Sequence, residues 1–154
     1  MIKHAWSLMC TKCITDPDTK NVTLTEVVEQ LNVPPNVTFP ATAPFQTDFV
    51  STWYREDADR AERATGRVVV HGPDGNSREA VQFAIDLTAF YRVHTIIRSA
   101  GLELVSTGVY YFVVECRAEG QQQWETVARL PLNVVRLEVS TTATTTTATP
   151  APVN

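Results

Sequence analysis

Phe45-Gln46-Thr47-Asp48-Phe49-Val50-Ser51-Thr52-Trp53-Tyr54 alternates with a period of two: Phe45, Thr47, Phe49, Ser51 and Trp53 fall on one parity, the rest on the other. Side chains on a strand point to opposite faces in turn, so this stretch reads as a β-strand with one face turned to a core. The same period returns in Val81, Phe83, Ile85 and Leu87, set between Ala80, Gln82, Ala84 and Asp86. It returns again in Val109, Tyr111 and Val113, set between Tyr110, Phe112 and Val114. β-Branched and aromatic residues fill all three runs, as a pleated surface favours.

Working outward, turn chemistry separates these runs from others. Asp16-Pro17-Asp18-Thr19 follows a first strand at 3–15, and Pro34-Pro35-Asn36 ends a second at 21–33. Gly72-Pro73-Asp74-Gly75 divides 66–71 from 77–87, with proline presetting φ and Gly75 free to take φ > 0. Glu119-Gly120 divides 108–118 from 123–130, and Pro131 precedes a last strand at 132–139. With 45–54 and 91–98 the count is eight or nine strands, the spacing of an all-β antiparallel sandwich or barrel. The expected core is Trp6, Phe49, Trp53, Phe83, Ile85, Tyr111, Val113 and Trp124.

Two stretches carry a helical signal. Thr23-Leu24-Thr25-Glu26 fits the S/T-x-x-E helix start, yet Val22, Leu24, Val27, Val28, Leu31 and Val33 suit a strand, with a bulge, better. Glu56 to Ala64 is alanine-rich and charged and reads as one or two helical turns on a connection. Residues 1–139 form the domain. From Ser140 to Asn154 the chain is Thr-, Ala- and Pro-rich, without apolar residues to offset the entropy of ordering, and reads as a low-complexity tail dispensable for folding.

Charge and cysteine usage narrow the class. Thirteen basic residues against 17 acidic give −4, a balance that argues against a nucleic-acid-binding face. No apolar run reaches the roughly 20 residues of a membrane helix, so no membrane span is expected. Met1 to Cys10 lacks the long apolar region of a signal peptide. Three cysteines, an odd and small number, make no disulfide framework, and the protein is read as cytoplasmic.

His4-Ala5-Trp6-Ser7-Leu8-Met9-Cys10, Asp16 and Asn21 to Leu31 resemble the opening of a group of uncharacterised bacterial proteins that carry a domain-of-unknown-function label. Gly72-Pro73-Asp74-Gly75, Gly108-Val109-Tyr110, and Trp124 ahead of Leu130-Pro131-Leu132 extend the likeness over residues 3–139. The resemblance implies an immunoglobulin- or C2-like β-sandwich and no established activity. In immunoglobulin-like sandwiches a tyrosine near a strand start turns its hydroxyl back onto a nearby backbone group, a role open to Tyr110 or Tyr111.

Hints of chemistry are few. Cys10 and Cys13 form a C-x-x-C without a second pair, and on a strand residues three apart diverge, so both read as buried small hydrophobes, as does Cys116. His4, His71 and His94 are scattered and no G-x-S-x-G accompanies them. Gly72 to Asn76 lacks the lysine of a phosphate loop. The acidic turns Asp16-Pro17-Asp18 and Asp57-Ala58-Asp59 would meet at one end if the strands ran up and down in order. Asp16, Asp18, Asp57 and Asp59 are therefore the candidate metal ligands, in the manner of calcium-binding C2 loops. The expected function is a non-catalytic binding or adaptor module, with a protein partner or self-association through exposed strand edges and no cofactor. A calcium-dependent C2-like module and a hydrolase-like enzyme with a histidine–aspartate site are the alternatives.

Overall fold

The computed structural model describes residues 1–138, so the tail at 140–154 lies outside the described residues. Eleven strands follow in order: β1 (Ile2–Thr15), β2 (Val22–Val27), β3 (Gln30–Val33), β4 (Ala41–Ala43), β5 (Thr47–Arg55) and β6 (Arg63–His71), then β7 (Ser77–Asp86), β8 (Arg92–Ser99), β9 (Leu102–Leu104), β10 (Gly108–Ala118) and β11 (Glu125–Arg136). The fold is all-β. A four-stranded sheet runs β2-β1-β5-β8, a five-stranded sheet runs β3-β11-β10-β6-β7, and β4 pairs with β9 in a two-stranded one.

The alternation that marks the strands also builds the core. Met9, Phe49 and Trp53 of the four-stranded sheet share one buried cluster with Val68, Val70, Ile85, Phe112, Val114 and Leu132 of the five-stranded sheet. Every residue of β5 from Asp48 to Trp53 is buried, since β5 has a neighbour on each side and covering on both faces. At one end Trp53 lies 6.1 Å from the ring of Phe83, and His4 meets its edge at 5.0 Å. Gly66 makes this possible: it pairs with Phe83, and a Cβ there would collide with the Phe83 ring.

Several expectations are corrected. The count of eight or nine is eleven, because β4 and β9 are three residues each, too short to show a period. The pairing is not purely antiparallel: β3 runs parallel to β11. The stretch at 21–33 is neither helix nor one bulged strand. Val28 N–H donates to Met9 O at 2.8 Å, holding the chain to the four-stranded sheet, while Asn133 N–H donates to Glu29 O at 2.9 Å, already in the five-stranded one. The chain thus changes sheets within two residues. The helical turns expected at 56–64 are absent: 56–60 is a turn, and β6 begins at Arg63. A nine-residue run cannot overcome the cost of helix nucleation alone, and its last two residues pair with Asp86 and Ile85.

Residues 123–130 and 132–139, read as two strands, form the single strand β11 through Pro131. β3 pairs with β11 from Asn133 to Arg136, so at Pro131 that flank of the strand is a sheet edge, where proline is tolerated. Gly75 takes φ +82° in the turn before β7, as its turn requires. Trp6 joins a second cluster of the four-stranded sheet, with Val50, Cys10 and Cys13, rather than the main core. Trp124 is also outside the core, stacked between Arg67 at 4.2 Å and Arg117 at 4.5 Å.

Candidate functional site

The core is filled unevenly. At the Trp53 end, aromatic rings occupy the space between the sheets. At the opposite end of β5 the inward positions are Phe49 and Thr47, and across from them β6 and β7 present Val68, Val70, Ala80 and Val81. These smaller side chains leave a cavity of about 340 Å³, with Phe45, Ile97, Leu102, Phe112 and Leu132 in its walls. Ala80 reaches the cavity together with Val81 because the β6–β7 register slips between Val68 and Val69, leaving Ala80 unpaired as a bulge.

The exposed residues of the lining are Arg78 and Ala80 on β7 and Arg98 and Ser99 on β8. β7 and β8 are the outer strands of their sheets on the same side, and no ladder joins them. The cavity therefore opens between these two edges, with a guanidinium on each lip. Each arginine has one carboxylate neighbour: Arg78 Nη2 lies 3.4 Å from Glu103 Oε2, and Arg98 Nε lies 3.8 Å from Asp48 Oδ1. A guanidinium carries five N–H donors, so both keep donors free.

A polar groove lies beside this mouth and shares Arg98 and Ser99 with it. Thr11, Lys12, Cys13, Gln46, Asp48 and Ala100 complete its walls. Asp48 is buried, and its Oδ2 accepts the Cys13 N–H at 2.7 Å. A chemically mixed opening thus leads into an apolar interior, the arrangement of sites that orient a ligand by a few polar groups and hold it by burial.

The residues singled out in the sequence lie elsewhere. Asp16 Oδ1 accepts from the N–H groups of Asp18 (3.0 Å) and Thr19 (2.7 Å) and from the Thr19 hydroxyl (2.9 Å), and these bonds hold its carboxyl below the usual range. Asp57 Oδ1 accepts the Asp59 N–H at 3.0 Å. Both are turn-forming contacts. The two acidic turns stand at opposite ends of β1, because β1 and β5 are antiparallel and pair Ile2 with Arg55. β1 has 14 residues, which at ~3.3 Å each separates the turns by roughly 40 Å. Among the described residues no group of three or more His, Cys, Asp or Glu is placed to hold a metal ion.

Cys10 and Cys13 do not diverge. Both join the cluster around Val50. Burial raises the pKa of both thiols, and burial with the nearby Glu125 raises that of Cys116 to about 11. His4 Nε2 lies 2.6 Å from Ser7 Oγ, which lies 2.6 Å from Ser51 Oγ. This is a nucleophile beside a base, but among the described residues no histidine has a carboxylate within ion-pair distance, and neither His4 nor Ser7 lines the cavity. His94 Nδ1 lies 2.8 Å from Thr52 Oγ1, and His71 is exposed. Burial lowers the pKa of His4 and, with Arg92 contributing, that of His94.

Sequence reasoning missed Arg78 and Arg98. They stand twenty positions apart on different sheets, and neither period nor spacing relates them. Only the order of strands, which places β7 and β8 on the same side, brings them to one opening.

No family model matches the chain, and no curated protein matches it. Among solved structures it is similar to the Pseudomonas fluorescens alkylpurine DNA glycosylase AlkC bound to DNA containing an abasic site analog. The TM-score is 0.48 at 8% identity, covering 87% of this chain and 30% of that one. It is also similar to the periplasmic chaperone SfaE, with TM-score 0.43 at 9% identity, covering 72% of this chain and 56% of that one. The chain thus spans less than two thirds of either.

Proposed function

We propose that this chain is a non-catalytic binding module on an immunoglobulin- or C2-like β-sandwich, and that its binding site is the cavity between the two sheets. The supporting observation is the cavity itself: apolar walls, and a mouth between two unpaired strand edges. The cavity is open to solvent at its mouth and lined mostly by apolar side chains, so an apolar ligand that displaces its water is favoured by burial.

The likeness to the bacterial domain-of-unknown-function group belongs to the same proposal. So does a cytoplasmic setting, which the three free cysteines support. The test is titration with the neutral dye N-phenyl-1-naphthylamine. Saturable fluorescence enhancement at one dye per chain, lost in Val70→Trp and Val68→Phe variants that still show cooperative melting, is the expected result. No saturable enhancement, or enhancement indifferent to both substitutions, would remove the cavity as a site.

A further inference from the structure

The cavity and its two lips differ in chemistry, and together they specify more than an apolar ligand. We infer that the site takes a single-chain amphiphile with an anionic head, its hydrocarbon tail between the sheets and its head between the guanidinium groups of Arg78 and Arg98. This inference rests on the reading of the cavity as the binding site.

Volume sets the tail. The cavity, about 340 Å³, falls in the range of small-ligand sites, and a ten-carbon chain is a probe of suitable size. Wall chemistry sets its character: the interior is formed mostly by Met9, Phe49, Ile97 and Phe112 and their neighbours, with Thr47 among them, too few polar groups to solvate a buried charged head. The head must therefore stay at the mouth, which lies between β7 and β8.

The lips set the sign of the head. Arg78 and Arg98 both line the opening, on separate sheets. Their side chains are 48% and 76% exposed, so they can turn toward a ligand without breaking the core. Each now has a single long contact to a carboxylate, Glu103 and Asp48 respectively. An incoming anion would replace or join these contacts with shorter, charge-assisted bonds. A cationic head would meet two like charges, and a neutral head would gain little from either.

The experiment measures binding of decanoate, decanol and decylamine to the full chain by displacement of N-phenyl-1-naphthylamine and by calorimetry at low salt. Decanoate should bind at least about tenfold tighter than decanol, and decylamine should not compete. Arg78→Gln and Arg98→Gln should each weaken decanoate several-fold, and by a larger factor than they weaken decanol. Glu103→Gln, which releases Arg78, should tighten decanoate. Decyl phosphate distinguishes the head: binding equal to decanoate makes anionic charge the recognised feature, and binding stronger than decanoate makes the doubly charged head the better fit, both within the inference. Equal binding of decanoate, decanol and decylamine, or decanoate affinity unchanged in the double arginine variant, would overturn the anionic head while the cavity remains the site. If the dye itself fails to bind, the underlying reading fails instead.

Discussion

Gly66 shows how much of this core is decided by one absent side chain. Phe83 lies across it to reach Trp53, so Gly66→Val should overpack the site and cost about 1–3 kcal/mol in urea denaturation. Trp53→Ala, at a fully buried position, should cost about 3–5 kcal/mol. A Trp53→Ala midpoint equal to wild type would mean that the ring is not buried as described. Tyr110 carries a different load. Its hydroxyl accepts the Val105 N–H at 2.9 Å and the Ser106 N–H at 3.2 Å, and donates to Ser106 O at 2.8 Å. Tyr110→Phe keeps the ring and strands these groups, so it should lose about 1–3 kcal/mol, read from the same denaturation curves. The tyrosine turning back near the start of β10 was legible in the sequence, but which tyrosine was not. Val109 to Val114 is apolar on both parities, so period two identifies the strand and leaves its inward face open. Of the expected Tyr111 and Val113, Val113 is buried, whereas Tyr111 lies under the Arg129 guanidinium at 3.7 Å; the main cluster takes the other parity, Tyr110, Phe112 and Val114.

Strand β1 illustrates what period reveals at the scale of an element and what it conceals. Its existence at 3–15 was legible from composition and the following turn, and the structure places it at Ile2–Thr15. Its register was not, because a bulge between His4 and Trp6 shifts the pairing with β5 and assigns the two side chains to different surroundings. His4 meets the edge of Trp53, and Trp6 stacks loosely on His94 at 6.1 Å. Both imidazoles have pKa values lowered from 6.5, chiefly by burial, so the folded chain holds fewer protons on them than the unfolded chain. Their stabilising share is complete above pH 6.5 and declines as pH falls from there through the depressed values. Urea midpoints should therefore drop between pH 7.5 and pH 5, and the drop should shrink in a His4→Gln, His94→Gln double variant. Asp16, Asp74 and Asp86 are lowered from 3.8 and lose their share only below that value, so they do not contribute in this window. A flat profile from pH 7.5 to 5 would show the two histidines to be as solvated as in the unfolded chain.

For the whole molecule, the sequence announced strands but not their neighbours, and the candidate site depends on neighbours. The acidic turns looked paired only under an up-and-down order; the switch from β2 to β3 and the two short strands broke that order. Arg78 and Arg98 drew no notice for the converse reason, since their meeting is a property of the sheet edges. The same switch has a consequence for biosynthesis. Among the described residues Gln30–Val33 completes a ladder only with Asn133–Arg136, roughly a hundred residues later in the chain, and ladders closed over such distances form late. At ~5–20 residues per second a ribosome delivers that partner roughly 5–20 s after β3 itself. Through that interval Leu31 and Val33, buried in the finished protein, are without their partner strand. Nascent chains arrested before residue 125 has emerged should be cut readily by protease near 28–36, and chains arrested well beyond residue 138 should resist. Resistance already present in the shorter chains would mean that β3 has another partner during synthesis. On this topology the five-stranded sheet is assembled only once β11 has emerged, and until then the cell's chaperones meet a chain whose early strand waits for a partner made roughly a hundred residues later.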